Sequence, residues 1–330
     1  MNKHLAMRAS TARHLALLRF RPNRRNFLAG GAALGATALA PSTQAIAADP
    51  VAAETFVPGS PVPGLAPKEV TAPASVAKLR DVDLWYWDTG GNGDAIVLMH
   101  PATGSGHVWG YQQEAFAHAG YRVIGYSRRG FRGSSAGSPD QRGTGAADLA
   151  RLLDHLSIER AHLVGSAAGG FIAGAFAIEA PERVRSLTIA CSIVSVADPA
   201  VRETVPWLYE AWWNELPEDL RELSPSYRAV NRAGHARWLE LHHQSREGTT
   251  PVNQPPGSSP ATLETLARIP SPTLLISGDA DLISPPPIAR TLARTIPDSR
   301  LTILSECGHS AYWERPDAFN AAILEFIEPY

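Results

Sequence analysis

The sequence predicts an α/β protein with a mostly parallel sheet and helices on both faces, and three observations carry that prediction. From Val76 onward, short β-rich runs alternate with helical stretches, the order that joins parallel strands through helical crossovers. The run from Ala95 to His100 (AIVLMH) is continuously apolar rather than alternating, as strands covered on both faces are. With 330 residues, 44% apolar and only 19% charged side chains, the chain can also bury a large core. No internal repeat, heptad run or apolar stretch of about 18 residues suggests a solenoid, coiled coil or bilayer span.

The elements follow in order. Leu79 to Asp88 (LRDVDLWYWD) reads as a strand or hairpin, with Gly90-Gly91-Asn92-Gly93 as its turn. Ala95 to His100 is a buried strand, and a helix near Val108 to Ala119 leads to a strand from Tyr121 to Tyr126. A helix from Gly145 to Leu156, a strand from Ala161 to Gly165, a helix from Gly169 to Ala180 and a strand from Ser186 to Cys191 continue the alternation. After an insertion come a strand from Pro272 to Ser277, a helix from Pro287 to Ile296, a strand from Arg300 to Ser305 and a final helix from Asp317 to Ile327. Residues 76–194 and 269–330 thus form the core, preceded by a Pro/Ala/Val-rich leader over 48–75.

The insertion, residues 195–268, is helical by pattern and holds Trp207, Trp212, Trp213 and Trp238, half of the chain's eight tryptophans, with Tyr209 and Tyr227. Aromatics at helical spacing serve a core equally well. As a set they suggest a cap lined for a bulky apolar or aromatic substrate.

Charge is distributed unevenly. Seven of the 30 bases and none of the 32 acids fall within residues 1–47, so the remainder is acidic, which argues against nucleic acid or an anionic membrane as partner. Arg24-Arg25-Asn26-Phe27-Leu28, an apolar run from Phe27 to Ala40 and Ala45-Ile46-Ala47 have the order of an export signal with a cleavage site after Ala47. The paired arginines resemble a twin-arginine signal, which implies a mature protein in the periplasm or outside the cell. In that compartment a Cys191–Cys307 disulfide is one alternative and two buried thiols the other. No Cys or His spacing suggests a metal, and no cofactor is expected.

The chemistry concentrates in a few motifs. Leu163-Val164-Gly165-Ser166-Ala167-Ala168-Gly169-Gly170 lies between a buried strand and a helix, the place of the nucleophile elbow G-x-S-x-G, where glycines flank a strained turn that lifts the central side chain. Gly278-Asp279-Ala280-Asp281 follows the penultimate strand, and Cys307-Gly308-His309 with Glu314-Arg315-Pro316 follows the last. Through these motifs, and the loops at 100–103 and 128–134, the chain from about Leu79 to Ile327 resembles the α/β-hydrolase superfamily with a cap. The resemblance implies a triad of nucleophile, acid and histidine in that chain order. It assigns Asp281 as the acid, with Asp279 as the alternative or a turn cap, and His309 as the base.

Two further roles follow from the resemblance. His100-Pro101-Ala102-Thr103 takes the place of the oxyanion loop: proline lacks an N–H, leaving the one at Ala102, which with that of Ala168 would form a two-donor oxyanion hole. Arg128-Arg129-Gly130-Phe131-Arg132-Gly133-Ser134 matches the basic loop after the next strand, its arginines structural or else recognising a substrate carboxylate. Gly104-Ser105-Gly106 lacks the spacing and the Lys of a phosphate loop.

The framing glycines, Gly165 and Gly169, place Ala167 rather than a serine at the nucleophile position. Alanine cannot attack. The expectation is a serine hydrolase of carboxylic esters or lactones, working through an acyl-enzyme, with its serine replaced by Ala167 so that substrate stays intact. The alternatives are a cofactor-independent lyase or oxygenase using His309 and Asp281 without a nucleophile, a non-catalytic binding relative, or a one-residue slip that makes Ser166 the nucleophile.

Overall fold

The computed structural model describes residues 53–194, 196, 198, 212–250 and 252–330. The expected export signal, Trp207 and Tyr209 lie outside the described residues.

Among the described residues one nine-stranded sheet runs in the order β1-β9-β8-β7-β6-β4-β5-β3-β2. Its strands are β1 (Glu54–Val57), β2 (Ala74–Lys78), β3 (Asp83–Asp88), β4 (Ala95–Met99), β5 (Arg122–Tyr126), β6 (Ala161–Ser166), β7 (Val184–Ala190), β8 (Thr273–Gly278) and β9 (Ser299–Leu304). All neighbours from β1 through β5 in that order pair parallel. Only β2 with β3 and β3 with β5 are antiparallel. The fold class read from the sequence is therefore the one observed. β4, β6 and β8 are buried along their whole length, and β4 reads as an unbroken apolar run for that reason.

The helices are α1 (Gly110–His118), α2 (Gly145–His155), α3 (Ala168–Glu179), α4 (Glu218–Glu222), α5 (Pro225–Val230), α6 (Arg232–Gln244), α7 (Leu263–Leu266), α8 (Pro286–Thr295), α9 (Ala311–Glu314) and α10 (Pro316–Ile327). Two apolar clusters divide them. Leu149, Leu152, Phe176 and Leu292 bring α2, α3 and α8 into one. Trp109, Phe116, Trp313, Phe319 and Ile323 bring α1, α9 and α10 into the other. α3 (AGGFIAGAFAIE) is apolar on nearly every side and mostly buried, as a helix without a polar stripe must be.

Two expectations need correction. The segment 48–75 is more than a leader, since β1 within it pairs with β9 at the sheet edge. It carries no apolar periodicity to announce it, because Glu54, Thr55 and Phe56 are exposed and only Val57 is half-buried. The hairpin at 79–88 is the second: β2 and β3 reverse at Leu79 to Val82, where Leu79 N–H donates to Val82 O at 2.9 Å. The Gly90–Gly93 stretch instead carries the chain from β3 to β4, and a Cβ on Gly93 would lie 1.9 Å from Gly120 O.

The described part of the insertion carries helices up to Gln244 and again at Leu263–Leu266, with turns and loop at 245–250 and 252–262, and α4 to α6 pack onto the core. Leu223, Tyr227, Trp238 and Leu241 share a cluster with Trp109, Tyr312 and Trp313. Trp313 Nε1–H donates to Gly234 O at 3.3 Å and Asn231 Nδ2–H to Leu65 O at 2.6 Å. No helix among the described residues is long and apolar enough to cross a membrane. β4 is flanked by β5 on one side and β6 on the other, so the chain reverses its direction of travel there, and ligands of open α/β sheets settle at the carboxyl ends of strands around such a point.

Candidate active site

Strand β6 ends at Ser166 and α3 begins at Ala168, leaving Ala167 as the hinge, with φ 49° and ψ −114°. A non-glycine residue holds this conformation only where its surroundings enforce it, at about 1–3 kcal/mol. The enforcement is visible. Ala167 N–H donates to Ala190 O at 2.9 Å, while its carbonyl accepts Gly170 N–H at 2.9 Å and Ser192 Oγ–H at 2.7 Å. Glycine is required on both sides: a Cβ on Gly165 would sit 2.5 Å from Gly169 O, and one on Gly169 only 2.0 Å from Met99 O. Position 167 is thus the raised point of the elbow. Ser166 ends the strand 1% exposed, its hydroxyl buried without a hydrogen-bond partner among the described residues, so a slip that makes it the nucleophile does not fit the geometry.

The other two candidate residues meet beside the elbow. Asp281, in the loop after β8, and His309, in the loop after β9, are both nearly fully buried. His309 Nδ1 lies 3.0 Å from each Asp281 oxygen, the arrangement that leaves Nε2 free for proton transfer. Asp281 also accepts Ile283 N–H at 2.8 Å, Ser284 N–H at 2.9 Å and Ser284 Oγ–H at 2.9 Å. Burial works against the imidazolium, but the charge and hydrogen bond of Asp281 outweigh it and hold the His309 pKa up at about 9. Burial likewise opposes the Asp281 carboxylate, yet His309 and the donated hydrogen bonds keep its pKa below the ordinary value. Asp279 is a loop tie, accepting Cys307 N–H at 3.4 Å.

Ala102 and Ala168 line the same cavity of about 230 Å³ as Ala167 and His309. Ala168 is the first residue of α3, so its N–H is one of the donors a helix start leaves without an internal partner. The loop bearing Ala102 is fixed from behind: His100 Nδ1–H donates to Pro101 O at 2.7 Å and His100 Nε2 accepts Arg128 N–H at 3.1 Å. Burial pushes the His100 pKa well below its usual range, so the ring stays neutral and can fill both roles. Arg128 Nη2–H donates to Pro101 O at 3.0 Å, and Arg129 forms a buried ion pair with Asp148 at 2.6 Å. Both arginines therefore brace the loops.

Of the expected tryptophan lining, the three described residues do not surround this cavity. Trp238 is a core residue at 3% exposure, Trp212 is 53% exposed and Trp213 is half-buried, and none of the three is among the lining residues. The apolar lining comes from Phe171, Ile193 and Ile283. Phe171 and Ile193 also border a neighbouring cavity of about 500 Å³ formed with Ala175, Val194, Val196 and residues 255–261. Glu222 of α4 is a lining residue that sequence reasoning missed. Its only signal was a place in the insertion, where an acidic residue on a short helix reads as solvated. Cys191 and Cys307 are both free and buried, so the disulfide alternative is not the state seen. Burial pushes both thiols well above their usual pKa. Among the described residues no group of His, Cys, Asp or Glu is placed to hold a metal ion.

Comparison with known proteins agrees with this geometry. Residues 94–226 match the family described as the α/β-hydrolase fold. A 2-hydroxy-6-oxononadienedioate/2-hydroxy-6-oxononatrienedioate hydrolase of Burkholderia vietnamiensis is 31% identical over 73% of this chain and 90% of its own. Among solved structures, a thermophilic esterase of Thermogutta terrifontis superposes with a TM-score of 0.63 at 25% identity, covering 80% of this chain and 99% of that one. A bromoperoxidase of Bacillus anthracis superposes with a TM-score of 0.60 at 25% identity, covering 78% and 100%.

Proposed function

This chain belongs to the α/β-hydrolase fold family, and we propose that its site is that of a carboxylic ester or lactone hydrolase from which the attacking oxygen alone is missing. The observation that carries the proposal is the backbone of Ala167. It keeps the strained φ 49°, ψ −114° that lifts a nucleophile above a sheet, although a methyl group gains nothing from being lifted.

Each remaining part has a function in acyl transfer. With a serine at 167, His309 Nε2 takes the Oγ proton as the oxygen attacks the carbonyl, and Asp281 stabilises the imidazolium. The N–H groups of Ala102 and Ala168 receive the developing oxyanion. The imidazolium then returns the proton to the departing alkoxide, and a water activated by the same ring cleaves the acyl-enzyme. With Ala167 in place, the substrate binds and no covalent step follows. A bulky apolar or aromatic substrate suits Phe171, Ile193 and Ile283 and the adjoining 500 Å³ cavity. The esterase among the structural neighbours supports ester chemistry. The dicarboxylic substrates named for the Burkholderia relative suit this lining poorly, for it is largely apolar and carries a carboxyl of its own.

The Ala167→Ser substitution tests the proposal. Against a panel of aryl and macrocyclic esters, turnover rises by about 10³-fold or more. If the Ala167 protein turns over substrate while the serine variant hydrolyses no ester, His309 works as a base without a nucleophile, and the lyase or oxygenase reading replaces this one.

A further inference from the structure

Glu222 reaches the cavity from the insertion rather than from the sheet. It is the last residue of α4, and its backbone carbonyl accepts the N–H groups of His309 at 2.7 Å and Ser310 at 3.3 Å. The residue is 7% exposed, and its carboxyl accepts Ser310 Oγ–H at 3.2 Å through Oε2 and lies within reach of the Thr103 hydroxyl. The hydroxyls that share the lining are committed elsewhere, Ser192 to Ala167 O and Ser284 to Asp281 Oδ2. Among the described lining residues Glu222 is thus the one carboxyl, set in an otherwise largely apolar cavity.

The charges nearby do not cancel its influence. His309 is the cation of the site, but it already stands 3.0 Å from both oxygens of Asp281, so that pair is close to neutral as a unit. Glu222 then sets the sign of the potential that a ligand meets. Burial raises its pKa while the His309 charge opposes the rise. In its ionised form a desolvated carboxylate repels an incoming carboxylate, whereas a hydroxyl or amide N–H satisfies it directly.

We infer that Glu222 is a specificity-determining residue: it favours substrates that present a hydrogen-bond donor beside the scissile carbonyl and rejects those that present a carboxylate there. The inference rests on the cavity being the substrate site, as the proposed function has it, but not on any hydrolytic step. The structural alternative is that Glu222 only anchors the histidine loop, which its backbone carbonyl does in any case.

The test uses two probes of the same shape, 4-phenylbutanamide and 4-phenylbutanoate, titrated at neutral pH into the Ala167 protein as it stands. Neither has an ester to cleave, so failure here and failure of the hydrolase reading are separate results. The amide binds more tightly by about tenfold or more. Glu222→Gln, which keeps an oxygen for Ser310 Oγ–H, brings the ratio of the two affinities to about one, and Glu222→Asp retains a preference for the amide. A structural role would shift both affinities together and leave the ratio unchanged. The inference is overturned by an equal affinity in the unchanged protein, by no binding of the amide, or by a preference that persists in Glu222→Gln.

Discussion

The elbow at 165–169 and the histidine loop at 306–314 converge on one cavity and are held there by opposite means. The elbow is shaped by backbone: two glycines at sub-contact approach and four main-chain groups closing on Ala167 and its neighbours, with the Ser192 hydroxyl as the one side-chain support among the described residues. No ionisable group takes part. The histidine loop is tied by carboxylates and by the insertion. Glu314 accepts Gly308 N–H at 3.1 Å and Ser224 N–H at 2.9 Å, Ser224 Oγ–H donates to Glu306 O at 3.1 Å, and His309 N–H donates to Glu222 O at 2.7 Å. The difference teaches that the elbow keeps its raised turn with alanine at its point, because nothing that shapes it is a side chain at 167. The position of the base, by contrast, is coupled to the segment 222–224 and to protonation.

The contrast can be broken at three points. The largest effect belongs to the base. In the Ala167→Ser background, Asp281→Asn lowers kcat by about 10³- to 10⁴-fold, the usual cost of a lost triad acid. The pH profile of that background adds a second readout. His309 must shed its proton to act, and it keeps that proton up to about 9, so kcat/KM climbs on the alkaline side. Without the Asp281 charge the limb moves to lower pH. Unchanged turnover and an unmoved limb would separate Asp281 from the chemistry.

Next is the elbow. Gly169→Ala places a methyl 2.0 Å from Met99 O, against backbone that cannot swing aside, and costs about 3 kcal/mol or more in denaturant unfolding. A loss below about 1 kcal/mol would mean that the elbow is not shaped by backbone contact.

The smallest effect concerns Glu314, whose pKa burial raises from 4.5 to about 7 against the pull of its Ser224 and Gly308 hydrogen bonds. A raised folded-state pKa contributes stability that is whole below pH 4.5 and fades as pH rises through about 7. Glu314→Gln therefore flattens the dependence of unfolding free energy on pH in that window, by about 3 kcal/mol at most. His309 adds a similar decline between 6.5 and about 9, which the substitution leaves in place. A slope in the lower window that is the same in both proteins would assign it to another group.

The parts legible in the sequence are those whose signal is local. The continuous apolar run at 95–99 marks β4, the alternation of β-rich and helical stretches marks β6 and β8, and the glycine pair at 165 and 169 marks residue 167 as the hinge whose backbone angles the structure shows. Asp281 and His309 were readable because their loops have a fixed place after particular strands. What escaped depends on contacts distant in sequence. β1 has no apolar face of its own, and only its pairing with β9 makes it a strand. The density of aromatics in the insertion was plain, but which way Trp238 points is decided by Tyr312 and Trp313, which share its cluster. Glu222 looked like any surface acid until the histidine loop closed over it.

The claim that the site lacks only an oxygen has a direct measurement. The Ala167→Ser protein is treated with a fluorophosphonate and its peptides are weighed, alongside the unchanged chain. The account predicts one covalent phosphonyl adduct, located at residue 167, lost when His309 is also replaced by Ala and absent from the Ala167 protein. No adduct in the serine variant, or an adduct at Ser166, would contradict it.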